Sequence, residues 1–345
     1  MDFTLLQKLS DAFGPPGFED DIAALVKQEL SGYPLREDRS HNLVLAKTSG
    51  PDRPNVIIDA HMDECGFIVN HVGKNGYVQF MPLGGLYARN MPGHAVVFKT
   101  RGNAFCRGIV STLPVHIKKY LPGQKDITFK DLYVDMGTIS SQETEAELGV
   151  RMGDPGVFAV TCRETRHALM GKAFDDRVGV FMLLQLLNQV YTRDYPYNLY
   201  FSFSSQEEYG IIGATKTANR IKPDVFVALE GTTGSDLPNL PEYLVPCYPG
   251  QGPCVTLADH TMILSPKVRD MLDGMQTQAQ WHYKRPVFGG TNAAVMNRQG
   301  IDGLGMVVSA PCRSIHSACS TVRKSDLEQM LIFLTDLLDN LNALL

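Results

Sequence analysis

The sequence has no long apolar run, no excess of basic residues and only one tryptophan among its 345 residues. A membrane-spanning helix needs about 18–20 consecutive apolar residues, so we expect no membrane partner. The net charge is -5 and the pI about 6.0, without the clustered basic patch that nucleic acid requires. We therefore expect no nucleic-acid partner either.

The cysteines are few, odd in number and scattered. The seven of them never form a C-x-x-C, a pattern that argues against a disulfide framework and against a structural zinc site of the ribbon type. The first residues, MDFTLLQKLSDAFG, are typical of a short amphipathic helix and not of a secretion signal. These features predict reduced, mostly buried thiols in a soluble cytoplasmic protein.

Predicted helices and strands alternate in the two outer parts of the chain. Apolar strand patterns occur in NVIIDAH, NLYFSFS, DVFVALE and GLGMVVSA, and helical patterns in EDDIAALVKQEL, VGVFMLLQLLNQV and the C-terminal SDLEQMLIFLTDLLDNLNALL. The last helix begins with a possible capping box, Ser325-x-x-Glu328. This alternation predicts an α/β fold with a mostly parallel sheet flanked by helices.

The middle of the chain has a different character. Between 67 and 163, short β-prone runs such as GYVQFM, HAVVFKT, FCRGIV, LYVDMG and VFAV are separated by Gly, Pro and Asn. We interpret 67–163 as an inserted, small β-barrel-like domain. Residues 1–66 and 164–345 would then form one discontinuous catalytic domain.

Polar residues follow four of the predicted strands, at the point where each strand ends. The segments are AHMDE at 60–64, SQEE at 205–208, EGTT at 230–233 and APCRSIHS at 310–317, and a further pair, Asp175-Asp176, precedes a helix. In an open α/β sheet the ligand site lies beyond the carboxyl ends of the strands. We therefore expect these five segments to converge on one edge of the sheet.

Two histidines and at least three carboxylates would make that edge strongly acidic. Clustered carboxylates repel one another unless a cation lies among them. Imidazole and carboxylate ligands suit zinc, cobalt or manganese. The sequence therefore predicts a metal site.

The same segments carry a family resemblance. AHMDE, GKAFDDR at 171–177, QEEYGIIGA at 206–214, ALEGTTGSD at 228–236, GGTNA at 289–293 and CRSIHS at 312–317 together resemble the glutamyl or tetrahedral (TET) aminopeptidase family of two-metal peptidases. The likeness extends over nearly the whole chain. It implies an aminopeptidase that hydrolyses N-terminal residues from short peptides with two divalent metal ions per subunit: zinc, cobalt or manganese.

The resemblance also implies the metal ligands. Asp175 would bridge the two metal ions. His61 and Glu230 would complete one site, and Glu208 and His316 the other.

Two further residues receive catalytic roles from the resemblance. Glu207 would be the general base, and Asp63 would orient His61 through the ring nitrogen that does not face the metal. Such proteins assemble through the inserted domain, which implies a homo-oligomer between a dimer and a dodecamer.

The sequence departs from the family pattern at two places. Asn292 stands where the family commonly has Asp, and we expect this to affect the substrate pocket and its preference for a basic or acidic first residue. Ser317-Ala318-Cys319 replaces the usual Ser-Pro, and we expect a looser loop there. Neither change removes an implied ligand.

Three alternatives stay open from the residues alone. Paired carboxylates also serve glycoside hydrolysis, although a single tryptophan, Trp281, gives little for sugars to stack on. A cysteine peptidase would need a thiol beside a basic partner, and no segment predicts one. A binding protein with an inactive site would be favoured by a missing ligand, and none is missing.

Overall fold

A computed structural model describes residues 1–118, 126–287 and 289–345. Within them the chain forms a large mixed sheet covered by helices and a closed barrel, which confirms the predicted α/β class with its barrel-like part. None of the helices there combines the length and apolar character that crossing a bilayer requires. The predicted domain limits stay a prediction, and 119–125 of the predicted insert lie outside the described residues.

The strands, in chain order, have the following bounds: β1 Leu35–Glu37, β2 Leu43–Lys47, β3 Asn55–His61, β4 Gly66–Val72, β5 Val78–Leu83, β6 Ala95–Lys99, β7 Phe105–Ser111, β8 Tyr133–Asp135, β9 Pro155–Phe158, β10 Arg163–Glu164, β11 Ala168–Gly171, β12 Asn198–Ser204, β13 Val225–Thr233, β14 Cys254–Thr256, β15 His282–Lys284, β16 Leu304–Arg313 and β17 Ser320–Arg323.

The α-helices are α1 Thr4–Asp11, α2 Asp20–Glu29, α3 Val115–Lys118, α4 Phe174–Val190, α5 Ile212–Ile221, α6 Pro266–Gly274, α7 Val295–Arg298 and α8 Lys324–Asn340. Short 3₁₀ turns and a π-helical turn, Glu143–Glu147, complete the secondary structure.

The sheet is parallel at its centre and antiparallel at its margins. Its order is β1-β2-β12-β3-β13-β16-β17-β11-β10, with β14 joining β16 and β15 joining β14. Strands β12, β3, β13 and β16 are mutually parallel neighbours, so their carboxyl ends meet at one edge. The antiparallel marginal strands are short, which is why periodicity alone predicts none of the strands β1, β2, β10, β11 and β17.

Helix α4 packs directly on the central strands of this sheet. It is apolar on nearly every side and contacts β3, β13 and α8, as expected for a helix buried all round. The capping box predicted for α8 is wrong. The helix begins at Lys324 directly after β17, with Arg323 extended at its N-cap and no side-chain cap, so Ser325 already lies inside the first turn.

The barrel has a separate core. Strands β4-β5-β8-β7-β6-β9 close on themselves around a cluster of aromatic rings. The ring of Phe67 lies 5.2 Å from that of Phe80, 5.6 Å from Phe98 and 6.1 Å from Phe158, centroid to centroid. Strand β4 continues from the AHMDE segment after a short break, so the barrel is attached directly beside the edge that carries the polar residues.

Candidate metal centre

The implied ligands come from four neighbouring strands and one helix. His61 is the last residue of β3, Glu230 lies near the end of β13, and Glu208 and His316 follow β12 and β16. Asp175 lies at the start of α4, where its backbone is not helical (φ -87°, ψ 102°). The structure brings all five side chains to one edge of the sheet.

Asp175 lies between the two histidines. Its Oδ1 is 3.3 Å from Nε2 of His61, and its Oδ2 is 3.1 Å from Nε2 of His316. The carboxylate therefore offers one oxygen to each imidazole, which is the arrangement a bridging ligand needs.

A second carboxylate accompanies each histidine. Oε2 of Glu230 is 3.6 Å from Nε2 of His61, and Oε1 of Glu208 is 3.3 Å from Nε2 of His316. Ligand atoms of His61, Asp175 and Glu208 all lie within 4.8 Å of one another. A small cavity is lined by Asp175, Glu208 and His316.

Asp63 connects two of the contributing segments. Its carboxylate accepts hydrogen bonds from the backbone N–H groups of Glu207 (2.9 Å) and Glu208 (3.0 Å). Nδ1 of His61 is 3.1 Å from the Asp63 carbonyl oxygen and 3.4 Å from its carboxylate. One buried aspartate thus positions both the glutamate pair and the imidazole.

The barrel contributes to the centre through the loop after β5. Nδ1 of His316 is 3.0 Å from the carbonyl oxygen of Gly85, so this contact leaves Nε2 facing Asp175. The loop around His316 is tied instead of loose, because the hydroxyls of Ser317 (2.6 Å) and Ser320 (3.1 Å) both donate to the carbonyl of Ser314.

Asp176 is a buried residue beside the centre to which we assigned no role. Its carboxylate accepts hydrogen bonds from the backbone N–H groups of His61 (3.2 Å) and Gly179 (2.9 Å). Ligand atoms of Asp176, His61 and Glu230 also lie within 4.8 Å of one another. The Asp-Asp pair at the start of α4 was visible in the sequence, but the pattern could not separate the two side chains.

Asn292, which departs from the family pattern, is buried beneath the centre. It is 1% exposed, and its amide donates to Oδ2 of Asp59 (2.7 Å) and to the hydroxyl of Ser204 (2.8 Å). Burial raises the pKa of Asp59 to about 6, even though the hydrogen bonds that Asp59 accepts from Asn292 and Ser204 favour its ionised form.

Cys65 is the residue that the sequence analysis missed most plainly. Its thiol, a carboxylate oxygen of Glu208 and a ring nitrogen of His316 lie within 4.8 Å of one another. Cys65 directly follows the AHMDE segment, so its position was a usable signal. The scattered pattern of the seven cysteines alone does not predict this role.

A buried ion cluster supports the segments from behind. Nζ of Lys172 donates to both carboxylate oxygens of Glu64 (2.6 and 2.8 Å) and to the carbonyl of Ala12 (2.9 Å). Arg177 lies 3.3 Å from Glu64 and donates to the carbonyl of Leu9 (2.5 Å). The cluster ties the segment after β3 to the segment that presents Asp175.

The carboxylates of the centre are crowded and buried, and this shifts the pKa values of the groups around them. Burial raises the pKa of Glu230 to about 7, and it raises the pKa of Glu207 well above its usual value. Burial alone lowers the pKa of His61, but hydrogen bonds to Asp175 and Asp63 outweigh it and raise that pKa. A cation among these carboxylates would favour their ionised forms.

The donor set fits divalent cations. Two imidazoles and several carboxylates face one small volume, and Oε1 of Glu230 is buried without a hydrogen-bond partner among the described residues. A buried carboxylate oxygen left without a donor is costly unless a cation or water binds it. Oxygen and nitrogen donors of this kind suit zinc, cobalt or manganese.

Sequence and structure similarities to known proteins point to one peptidase family. Residues 41–332 match the sequence model of the M42 glutamyl aminopeptidase family. The lysyl aminopeptidase of Pyrococcus furiosus is 28% identical over 100% of this chain and 99% of its own. The TET aminopeptidase of a marine sediment Thaumarchaeota archaeon is 30% identical, with a TM-score of 0.92 over 99% of this chain and 97% of its own. The Pyrococcus horikoshii TET1 peptidase, at 24% identity and a TM-score of 0.82 over 96% and 98% of the two chains, shares the fold.

Proposed function

The chain belongs to the M42 glutamyl aminopeptidase family, and from this premise we propose that it is a two-metal aminopeptidase that removes N-terminal residues from short peptides. The observation that carries the proposal is Asp175, whose two carboxylate oxygens face the Nε2 atoms of His61 and His316. A two-metal centre serves hydrolytic reactions, and the family membership selects peptide hydrolysis among them.

We assign the ligands as follows. Asp175 would hold both cations, His61 and Glu230 would complete one site, and Glu208 and His316 would complete the other. Divalent ions of the zinc, cobalt or manganese class would supply Lewis acidity there and lower the pKa of water. Support comes from the pairing of one glutamate with each histidine at 3.3–3.6 Å.

Glu207 is our candidate for the general base. Its Oε2 lies 4.0 Å from Nε2 of His61, farther than the carboxylates assigned as ligands, and its side chain is 11% exposed. Burial and the nearby carboxylates of Glu230 and Glu208 favour its protonated form, so a Glu207 oxygen can receive a proton from water and pass it to the leaving amine. Asp63 holds the backbone of Glu207 in place.

The substrate's free N-terminus is the second part of the proposal. The centre contains more carboxylates than two metal ions need as ligands, and an α-ammonium group is a complementary partner for one of them. We propose that Asp176 remains a backbone acceptor, because both of its oxygens already receive N–H groups. The free amine of a substrate should therefore pair with a carboxylate other than that of Asp176.

The barrel supports a proposal of assembly. Large apolar side chains are exposed on it, including Met81, Phe105, Ile109 and Ile139, which is 81% exposed. Such surfaces usually mark interfaces. We propose a homo-oligomer, between a dimer and a dodecamer, formed through 67–163. A cytoplasmic location is proposed because all seven cysteines are free thiols.

Metal removal and an aminoacyl substrate panel test the proposed function. The purified chain is stripped with a chelator, metal loss is confirmed by elemental analysis, and zinc, cobalt and manganese are added back separately. We expect hydrolysis of free aminoacyl chromogenic substrates and short peptides to disappear and to return. The same peptides with N-acetylated ends are the matched control. Full activity without metal, or equal rates on acetylated peptides, would contradict the proposal.

A further inference from the structure

A second group of metal-ligating side chains lies outside the centre described above. Sγ of Cys247, Sγ of Cys254 and a ring nitrogen of His282 all lie within 4.8 Å of one another. Both cysteines are buried, at 1% and 0% exposure. We propose that these three residues bind a thiophilic divalent cation of the zinc class, as a site separate from the His/carboxylate centre.

The backbone holds the two cysteines in place without any metal. Cys254 begins β14, whose pairing with β15 sets it opposite His282. The turn between the cysteines is fixed by Asp326 of α8, whose carboxylate accepts the N–H groups of Gly250 (2.8 Å) and Gly252 (2.9 Å). A site prepared in this way costs little ordering when a ligand binds.

Contacts of the histidine ring favour a ligand role for Nε2. Nδ1 of His282 is 3.3 Å from the carbonyl oxygen of Gln251, which fixes the proton on Nδ1. Nε2 then carries the lone pair, which receives a long hydrogen bond, 3.3 Å, from the N–H of Tyr248. Metal-binding histidines commonly donate their other N–H to a carbonyl in this manner.

The donor set selects the class of ion. Two sulfurs and one imidazole suit zinc, cobalt(II) or cadmium, and do not suit magnesium or calcium. With Zn–S of about 2.3 Å and Zn–N of about 2.0 Å, tetrahedral donors lie about 3.5–3.8 Å apart. Donors already within 4.8 Å need about 1 Å of side-chain adjustment at most. A fourth position stays open to water.

A buried lysine tunes the expected affinity. Lys284 follows His282 by two residues on β15, so both side chains face the same side of the strand. Its ammonium group is 7% exposed and donates to the hydroxyl of Thr232 (2.5 Å), and no carboxylate pairs with it among the described residues. This charge favours the thiolate forms that bind metal, and it repels the bound cation. We therefore expect an exchangeable ion instead of a permanently bound one.

Cobalt(II) titration of the full-length, reduced, metal-free chain tests the site. We expect a thiolate-to-cobalt charge-transfer absorption in the near ultraviolet, which added zinc abolishes. Cys247→Ser and Cys254→Ser should lose this absorption, with the loss of about one bound ion per chain. Cys106→Ser, a barrel cysteine, should keep it.

Controls separate this site from the His/carboxylate centre. Cys65→Ser should retain the absorption, and loss of the signal in Cys65→Ser would place the thiolate at that centre and overturn the proposal. If a serine variant does not fold, His282→Gln replaces it and should weaken cobalt binding at least tenfold. Two further results would overturn the proposal. One is that the unsubstituted chain lacks the absorption although a thiol titration shows all seven cysteines reduced. The other is that Cys247 and Cys254 form a disulfide and bind no metal.

Discussion

The adjacent residues Glu207 and Glu208 provide the sharpest test of the proposed mechanism. Their backbone N–H groups are both held by Asp63, so the two side chains start from one fixed segment and diverge. Oε1 of Glu208 lies 3.3 Å from His316, whereas Oε2 of Glu207 lies 4.0 Å from His61 and its side chain makes no hydrogen bond in the described part of the chain. An isosteric amide at each position should therefore have a different effect.

Glu207→Gln should keep both metal ions and the fold, because it removes neither a ligand nor a hydrogen bond. It removes the oxygen that accepts the proton, and kcat should fall by about 10²–10⁴-fold, which corresponds to about 3–5.5 kcal/mol in the barrier. Glu208→Gln should lower metal content instead, because an amide is a poorer ligand than a carboxylate.

The assay combines elemental analysis of each variant with steady-state hydrolysis of an aminoacyl chromogenic substrate and a thermal melt. The assignment is refuted if Glu207→Gln empties the centre while Glu208→Gln retains its metal. It is equally refuted if Glu207→Gln, with metal retained, stays within tenfold of the unsubstituted enzyme.

Further predictions concern the metal ligands, pH, the buried ion cluster and the barrel. His61→Ala and Asp175→Asn should each lower the metal content measured by elemental analysis. Metal loading should weaken as pH falls, because Glu230, with its pKa raised to about 7, and His61, whose pKa is also raised, must each lose a proton to bind; equilibrium dialysis should show about tenfold weaker binding per pH unit for each proton displaced. Glu64→Ala leaves two buried cations unpaired and should cost about 3–5 kcal/mol in urea unfolding, with Glu64→Gln as the milder control. Removing 67–163 should give monomers by light scattering with reduced activity, and a strictly monomeric intact chain would refute the assembly role.

A contact between the barrel and His316 gives a second reason to expect lower activity when 67–163 is removed. All five assigned ligands lie outside 67–163, and the resemblance implies only an assembly role for that segment. In the structure the carbonyl of Gly85, inside that segment, lies 3.0 Å from Nδ1 of His316. The barrel therefore helps to orient a ligand, and its removal should reduce activity even if the remaining sheet folds.

The central sheet could be predicted because its strands are long, apolar and each followed by polar residues. NVIIDAH, NLYFSFS, DVFVALE and GLGMVVSA correspond to β3, β12, β13 and β16, which are adjacent and parallel. The convergence of His61, Glu208, Glu230 and His316 follows from that adjacency. Short strands such as β14 and β15 could not be predicted, because three-residue segments carry no usable period and depend on partners far along the chain.

Asn292 illustrates the other limit of sequence reasoning. The sequence shows that Asn292 differs from the family pattern, but the effect of that difference depends on Asp59. The two residues are 233 positions apart in the chain, and the side-chain nitrogen of Asn292 lies 2.7 Å from Oδ2 of Asp59. At that separation two carboxylates would repel each other by about 6 kcal/mol at an effective dielectric constant of about 20, so a second acid there would have to stay protonated. The neutral amide donates a hydrogen bond instead. Asn292 therefore acts on the layer beneath His61, two residues along β3 from Asp59, and we expect its influence on substrate preference to be indirect.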